Sequence, residues 1–195
     1  PAEFCEGGSV TLSISSDAPD AYLWSTGEST PTIEVTTSGD YSVELFKGTC
    51  SAISDPVAIT VWENPVASVT PLSATTLCEG EAVTLDAGAA SEYLWSTGET
   101  TSSIDVDATG SYSVTITDVN GCTDISNAVD VTVNPIPVAT ITPDGPTEFC
   151  EDGSVLLTAS AGDSYLWSTG ETTASISASA AGSYNVEVTT LGCSA

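Results

Sequence analysis

Six cysteines are the residues in this sequence whose type and spacing carry covalent chemistry: Cys5, Cys50, Cys78, Cys122, Cys150 and Cys193. They fall into pairs 45, 44 and 43 positions apart, namely Cys5 with Cys50, Cys78 with Cys122 and Cys150 with Cys193. An even number at near-constant spacing, in a chain without a single His, reads as a disulfide framework rather than a zinc site. Each bridge is expected to close within its own unit, as Cys5–Cys50, Cys78–Cys122 and Cys150–Cys193. A loop of that length contributes roughly 4 kcal/mol in the chain-entropy model. The rival pairing runs across a joint, as Cys50–Cys78. Strand parity decides between poles. The two cysteines of a unit share one end if three reversals separate them, and lie at opposite ends if a further short strand intervenes near Thr101.

Other chemistry is sparse. Ser and Thr are plentiful, but without His no nucleophile has its usual base, and Lys47 has no counterpart elsewhere. Asp105 and Asp107 sit two apart on a strand and face outward. Catalysis is not expected. Calcium is the one ligand chemistry that the composition permits, because it takes carboxylate and carbonyl oxygens from loops. The candidates are Glu6, Glu79, Glu151 and Asp152 beside the first cysteines, and Asp118 with Asn120 in an Asp-Val-Asn-Gly run. No contiguous calcium-loop pattern is present, and that run reads equally as a hairpin turn. No cofactor is expected and no metal-ligand set is assigned.

The balance of 27 acidic residues against one basic residue gives a net charge of −26. Nucleic-acid binding needs Lys and Arg to displace counterions, and an anionic membrane repels such a surface. Neither partner is expected. No apolar run approaches the 18 or more residues of a membrane span. The acidity itself reads as a solvating surface. Cysteines destined for bridges place the protein outside the cytosol, extracellular or on a cell surface. The chain has neither an initiator Met nor a signal peptide, as expected of a mature form or a slice of something longer.

The elements that position these groups are organised by a repeated block. Tyr-Leu-Trp-Ser-Thr-Gly-Glu runs from Tyr22 to Glu28, Tyr93 to Glu99 and Tyr165 to Glu171, starting 71 and 72 positions apart. Self-similarity at this period marks a tandem array. Tyr and Trp two apart point to one face, with Leu23, Leu94 and Leu166 opposite. Trp24, Trp95 and Trp167 are read as core residues; the functional alternative is an aromatic platform for a sugar. Gly27, Gly98 and Gly170 supply the positive φ of a tight turn. Around the block, β-branched residues alternate with polar ones, as in Val10, Leu12 and Ile14 or Val129, Val131 and Val133. That period of two predicts half-buried strands, and no segment has a helical period.

Proline-bracketed joints separate the units: Pro65 to Pro71, matched by Pro137 to Pro143. They read as short, semi-rigid hinges. Trp62 at the first joint aligns with Asn134, and is either a contact between units or exposed for binding. The boundaries are 1–63, 64–135 and 136–195. After each joint, Val66–Val69 and Val138–Ile141 offer a first strand that the first unit lacks, while the third unit stops before a counterpart of Val129–Val133. The expectation is that the polypeptide continues in both directions, or that neighbouring subunits donate the missing strands.

Taken together, the runs Cys-Glu-Gly, Ser-Val-Thr-Leu, Tyr-Leu-Trp-Ser-Thr-Gly-Glu-Thr-Thr, Gly-Ser-Tyr-Ser-Val-Thr and Asn-Gly-Cys resemble tandem Ig-like repeats. Such repeats occur in large secreted bacterial surface adhesins and filament proteins, including type IX secretion cargo. A looser likeness is to PKD domains, whose strand carries Tyr-x-Trp before a Gly turn. The resemblance covers all three units. It implies an all-β fold, an elongated tandem array of three immunoglobulin-like β-sandwich domains. It also implies a structural role, stapled spacers in an extracellular filament, stalk or adhesin, with further copies of the repeat as partners. The alternative is a carbohydrate-binding accessory module of a secreted enzyme. The surface or glycan ligand is not specified by these residues.

Overall fold

The computed structural model describes residues 2–15 and 19–195. The polar loop expected over Ser16 to Ala21 therefore lies partly outside the described residues. Every regular element among them is a strand, and no helix occurs. This is the all-β outcome that period-two alternation of Val, Ile, Thr and Tyr predicts.

The first repeat contains β1 (Ala2–Cys5), β2 (Val10–Ser13), β3 (Ala21–Trp24), β4 (Thr32–Val35), β5 (Gly39–Tyr41), β6 (Val43–Lys47), β7 (Cys50–Ile53) and β8 (Val57–Trp62). The second contains β9 (Thr70–Pro71), β10 (Thr76–Cys78), β11 (Val83–Asp86), β12 (Glu92–Trp95), β13 (Ser103–Val106), β14 (Gly110–Tyr112), β15 (Val114–Thr117), β16 (Thr123–Ile125) and β17 (Val129–Asn134). The third contains β18 (Ile141–Pro143), β19 (Val155–Ala159), β20 (Ser164–Trp167), β21 (Ser175–Ala178), β22 (Val186–Thr190) and β23 (Cys193–Ser194).

Pairing repeats with the sequence. β1 runs parallel to β8 and β10 parallel to β17, while β5 and β14 pair antiparallel to the other edge of those same strands. A second sheet, β3-β6-β7, recurs as β12-β15-β16 and β20-β22-β23. A third recurs as β13-β11-β9 and as β18-β19-β21, and has two strands, β2 and β4, in the first repeat. The strand expected over Val66–Val69 forms later and shorter, as β9. Val66 is almost fully exposed, and the Ala67 amide donates to the Asp124 carboxylate at 2.8 Å instead of to a ladder.

By compactness the chain divides into two units. One comprises Pro1–Val69, Ala87–Ser102 and Ser113–Asn127; the other comprises Thr70–Asp86, Ser103–Tyr112 and Ala128–Ala195. The division falls between the sheets of the second repeat: β12-β15-β16 belongs to the first unit, and β10-β17-β14 and β13-β11-β9 belong to the second.

In the first unit, Trp24, Ile33, Val35, Tyr41, Val43 and Ile59 form a core, with Phe4, Val10 and Leu12 packed against it. In the second unit, Val155, Leu157, Trp167, Ile176 and Ala178 do the same, joined by Ile141, Tyr184 and Val186. These residues come from alternate positions of strands in different sheets, which is how a β-sandwich fills its interior. Leu23, Leu94 and Leu166, one position out of phase, are exposed.

Candidate functional site

The chemistry-bearing groups converge at two disulfides. Cys5 bonds to Cys122 and Cys78 bonds to Cys193, with Cα atoms 5.5 Å apart in each case. The bridges Cys5–Cys50, Cys78–Cys122 and Cys150–Cys193 are therefore not formed, nor is the rival Cys50–Cys78. Cys50 and Cys150 are free and exposed. Both bridges follow one rule: the first cysteine of a repeat joins the second cysteine of the next.

The strands that carry the cysteines differ in sheet. Cys5 ends β1 opposite Trp62 at the end of β8, whereas Cys50 opens β7, twelve residues before Trp62. Cys50 pairs with Lys47 in the β3-β6-β7 sheet, whereas Cys5 belongs to the β1-β8-β5 sheet, so the two cysteines of the first repeat sit on strand ends of different sheets.

Each bridge rests on a strand-end platform. Cys78 lies opposite Asn134 in the parallel β10–β17 ladder, and the Glu79 amide donates to the Asn134 carbonyl at 2.8 Å. The Asn134 side-chain amide then donates to the Leu191 carbonyl at 3.0 Å, in the turn that delivers buried Cys193. In the other unit the Glu6 amide donates to the Trp62 carbonyl at 2.7 Å. Trp62, expected as a contact or an exposed binder, is half-buried at the register position beside Cys5. Cys122 is fully buried.

The turns that carry Cys122 and Cys193 are held by carboxylates, in two ways. Asp163 accepts from the Leu191 amide at 2.8 Å, and Asp20 accepts from the matching Gly48 amide at 2.7 Å. The second repeat has Ser91 at that place and supplies Asp118 from the turn itself. Asp118 Oδ1 accepts from the amides of Asn120 and Cys122, both at 2.8 Å. Desolvation is the largest single influence and pushes the Asp118 pKa up, but the hydrogen bonds from these amides, the Asn120 side chain and the Gly121 amide together outweigh it and hold the carboxyl below its ordinary range.

The Asp118–Asn120 pair thus caps a turn with the oxygens that a cation would need. Among the described residues no group of three or more acidic or thiol side chains is arranged to hold a metal. Glu6, Glu79 and Glu151 occupy the turns after the first cysteines, followed by Gly7, Gly80 and Asp152 at positive φ. Asp105 is exposed and accepts from Thr84 Oγ1 at 2.6 Å; Asp107 is exposed too.

The repeated block is a structural clasp. Trp24, Trp95 and Trp167 are at most 5% exposed, and each indole N–H donates at 2.8 Å to the carbonyl of Thr30, Thr101 or Thr173. Buried indoles require such a partner. The Trp backbone amides donate to the backbone carbonyls of Glu28, Glu99 and Glu171, and the amides of Gly27, Gly98 and Gly170 donate back to the Trp carbonyls. Ser25, Ser96 and Ser168 accept from the amides of Ser42, Ser113 and Asn185 at 3.2 Å. Their hydroxyls serve the backbone.

The Gly-Ser-Tyr run carries a second signature, whose hydrogen bond the sequence alone did not show. Tyr41, Tyr112 and Tyr184 each donate at 2.9 Å to the carbonyl four residues upstream, at Thr37, Ala108 and Ala180. The same bond is made by the tyrosine corner of immunoglobulin-type sandwiches, where a Cys follows two residues later; here Val43, Val114 and Val186 stand at that place. The signal was available as a Tyr two positions after a Gly in all three repeats, at Gly39, Gly110 and Gly182.

No protein-family model matches the chain, and no curated protein does. Among solved structures it is similar to murine CEACAM1b, at 16% identity over 69% of this chain and 96% of that one, with a TM-score of 0.34. It is also similar to an amphioxus IgVJ-C2 molecule, at 17% identity over 67% and 99% of the two chains, TM-score 0.31. A marsupial T cell receptor covers 99% of this chain and 96% of its own at 12% identity, TM-score 0.40.

Proposed function

We propose that this chain is a spacer segment of an extracellular bacterial surface filament, stalk or adhesin. In this reading it is an elongated array of three immunoglobulin-like domains, 1–63, 64–135 and 136–195, with no catalytic role, and its partners are further copies of the same repeat. The observation that carries this reading is the bridging rule. A disulfide within a domain stabilises that domain alone, whereas bridges from one repeat to the next fasten the joints, which is what an array under tension requires. The buried Trp24, Trp95 and Trp167 support the same reading. A carbohydrate-binding module would present those aromatics as a platform. The acidic surface, with its net charge of −26, keeps such an array soluble and discourages lateral collapse.

Immunogold electron microscopy of intact source cells, with antibodies raised against these 195 residues, tests the proposal. Label along extracellular fibres is the expected result. Label confined to the cell interior would refute it, and specific binding of the purified chain on a glycan array would favour the carbohydrate-binding alternative.

A further inference from the structure

We propose that the two bridges give this chain a covalent extension stop, set by the backbone between Cys78 and Cys122. The bridges overlap along the sequence, so that Cys5 shares one node with Cys122 and Cys78 shares another with Cys193. Three stretches of backbone then run side by side from node to node. They are 73 positions long from Cys5 to Cys78, 44 from Cys78 to Cys122 and 71 from Cys122 to Cys193. Tension that enters at Cys5 and leaves at Cys193 must cross between the nodes. However much of the fold gives way, the nodes part no further than the shortest stretch allows.

A fully extended chain spans at most about 3.3–3.6 Å per residue, so 44 positions cap the separation at about 150 Å. Without bridges, the 188 positions from Cys5 to Cys193 would draw out to about 650 Å by the same rule. When the shortest stretch is taut, the other two still hold 29 and 27 positions in reserve (73 − 44 and 71 − 44). Neither flanking repeat can therefore be pulled straight while both bridges stand. Part of each stays free to keep or regain its strands.

The stretch that sets the stop is also the one most firmly held in the fold. Its two ends are clamped by carboxylates from their own turns. Glu81 Oε2 accepts from the Cys78 amide at 2.8 Å, at a place where the flanking repeats have Gly8 and Gly153. Asp118 Oδ1 does the same for the Cys122 amide. Between these ends, Val83 and Leu85 have no exposed surface. Their counterparts Val10 and Leu12 are half-buried, and Val155 and Leu157 each keep 6% exposure. The stop engages only after this segment has been drawn from its packing.

The inference deepens the spacer reading, and rests on it for the source of the tension. Single molecules of the oxidised chain, stretched in an optical trap through terminal handles that leave every cysteine native, test it. The span from Cys5 to Cys193 at full extension is expected to stop near 150 Å, and to rise about fourfold once a thiol reductant opens both bridges. Removing one bridge, by Cys5→Ser with Cys122→Ser or by Cys78→Ser with Cys193→Ser, should lengthen it only to about 250 Å. A stretch of 73 or 71 positions then takes over. Loss of the second bridge thus adds about four times what loss of the first adds, as overlapping links require. The readout is covalent length, so a variant that folds poorly still reports. Equal steps for the two losses, or an oxidised chain that extends to about 650 Å, would overturn the proposal. Failure of the spacer reading is told apart from this, because label on cells decides that reading and no length does.

Discussion

Cys5 and Cys122 are 117 positions apart in the chain and 5.5 Å apart between Cα atoms, joined by a disulfide. Cys122 belongs to the turn between β15 and β16, and Cys5 to the end of β1 where the first repeat exits toward its joint. The bond therefore fastens one repeat to the next, and the Cys78–Cys193 bond does the same one step further on.

Peptide mapping under non-reducing conditions is expected to yield cross-linked peptides holding Cys5 with Cys122 and Cys78 with Cys193. A loop of 117 residues restricts the unfolded chain by about 5 kcal/mol in the chain-entropy model. Cys122→Ser should lower stability toward urea by an amount of that order. Cys50→Ser and Cys150→Ser, at exposed free thiols, should change it by no more than about 0.5 kcal/mol. A Cys5–Cys50 peptide would contradict the structure.

The buried Trp95 indole and its bond to the Thr101 carbonyl make two separable contributions. Trp95→Ala is expected to cost about 3–5 kcal/mol through lost burial and the cavity left behind. Trp95→Phe keeps most of the ring but strands a carbonyl, for about 1–3 kcal/mol. Urea unfolding of the three proteins reads both. A loss below about 1 kcal/mol for the Ala variant would mean that this indole is not a core residue.

The tyrosine corner offers a smaller and cleaner deletion. Tyr112→Phe removes only the hydroxyl that donates to Ala108, an expected loss of about 0.5–1.5 kcal/mol. Tyr41→Phe and Tyr184→Phe should fall in the same range. No change at any of the three would show that the corner is set by backbone geometry alone.

Asp118 makes a prediction about pH. Its folded pKa lies below the ordinary value of 3.8, because desolvation, the largest single influence, is outweighed by the amide hydrogen bonds together. A group with a depressed folded pKa adds stability that is present above its unfolded pKa and lost as pH falls through the folded value. Asp118→Ala should therefore lower the Tm near neutral pH, and the gap from the native protein should close below about pH 3.8. A gap that persists undiminished in strong acid would show that charge plays no part. Millimolar calcium should leave the Tm unmoved, since its candidate oxygens already hold the Asn120 and Cys122 amides; a rise reversed by chelator would oppose this.

Much of the fold was legible because burial in a strand follows a period of two. Tyr22-Leu23-Trp24 placed Trp24 inward and Leu23 outward, and the glycines at 27, 98 and 170 marked turns that do adopt positive φ. The bridges were not legible. Which pole a cysteine occupies depends on counting every reversal, and the parallel pairing of Ala2–Cys5 with residues 57 positions later leaves no local trace. Nor does spacing reveal Asp118 as a cap, because the same Asp-x-Asn-Gly letters suit a cation loop.

The two bridges overlap: one spans residues 5 to 122, the other 78 to 193. Every peptide bond from Cys5 to Cys193 is therefore bypassed by at least one sulfur bond, including all those in the two proline-bracketed joints. A protease that nicks the exposed linker around Val66 or Val138 severs the backbone without parting the molecule. Bridges closed inside each repeat would have left those linkers as the only connection, and a single cut there would have shed everything beyond it.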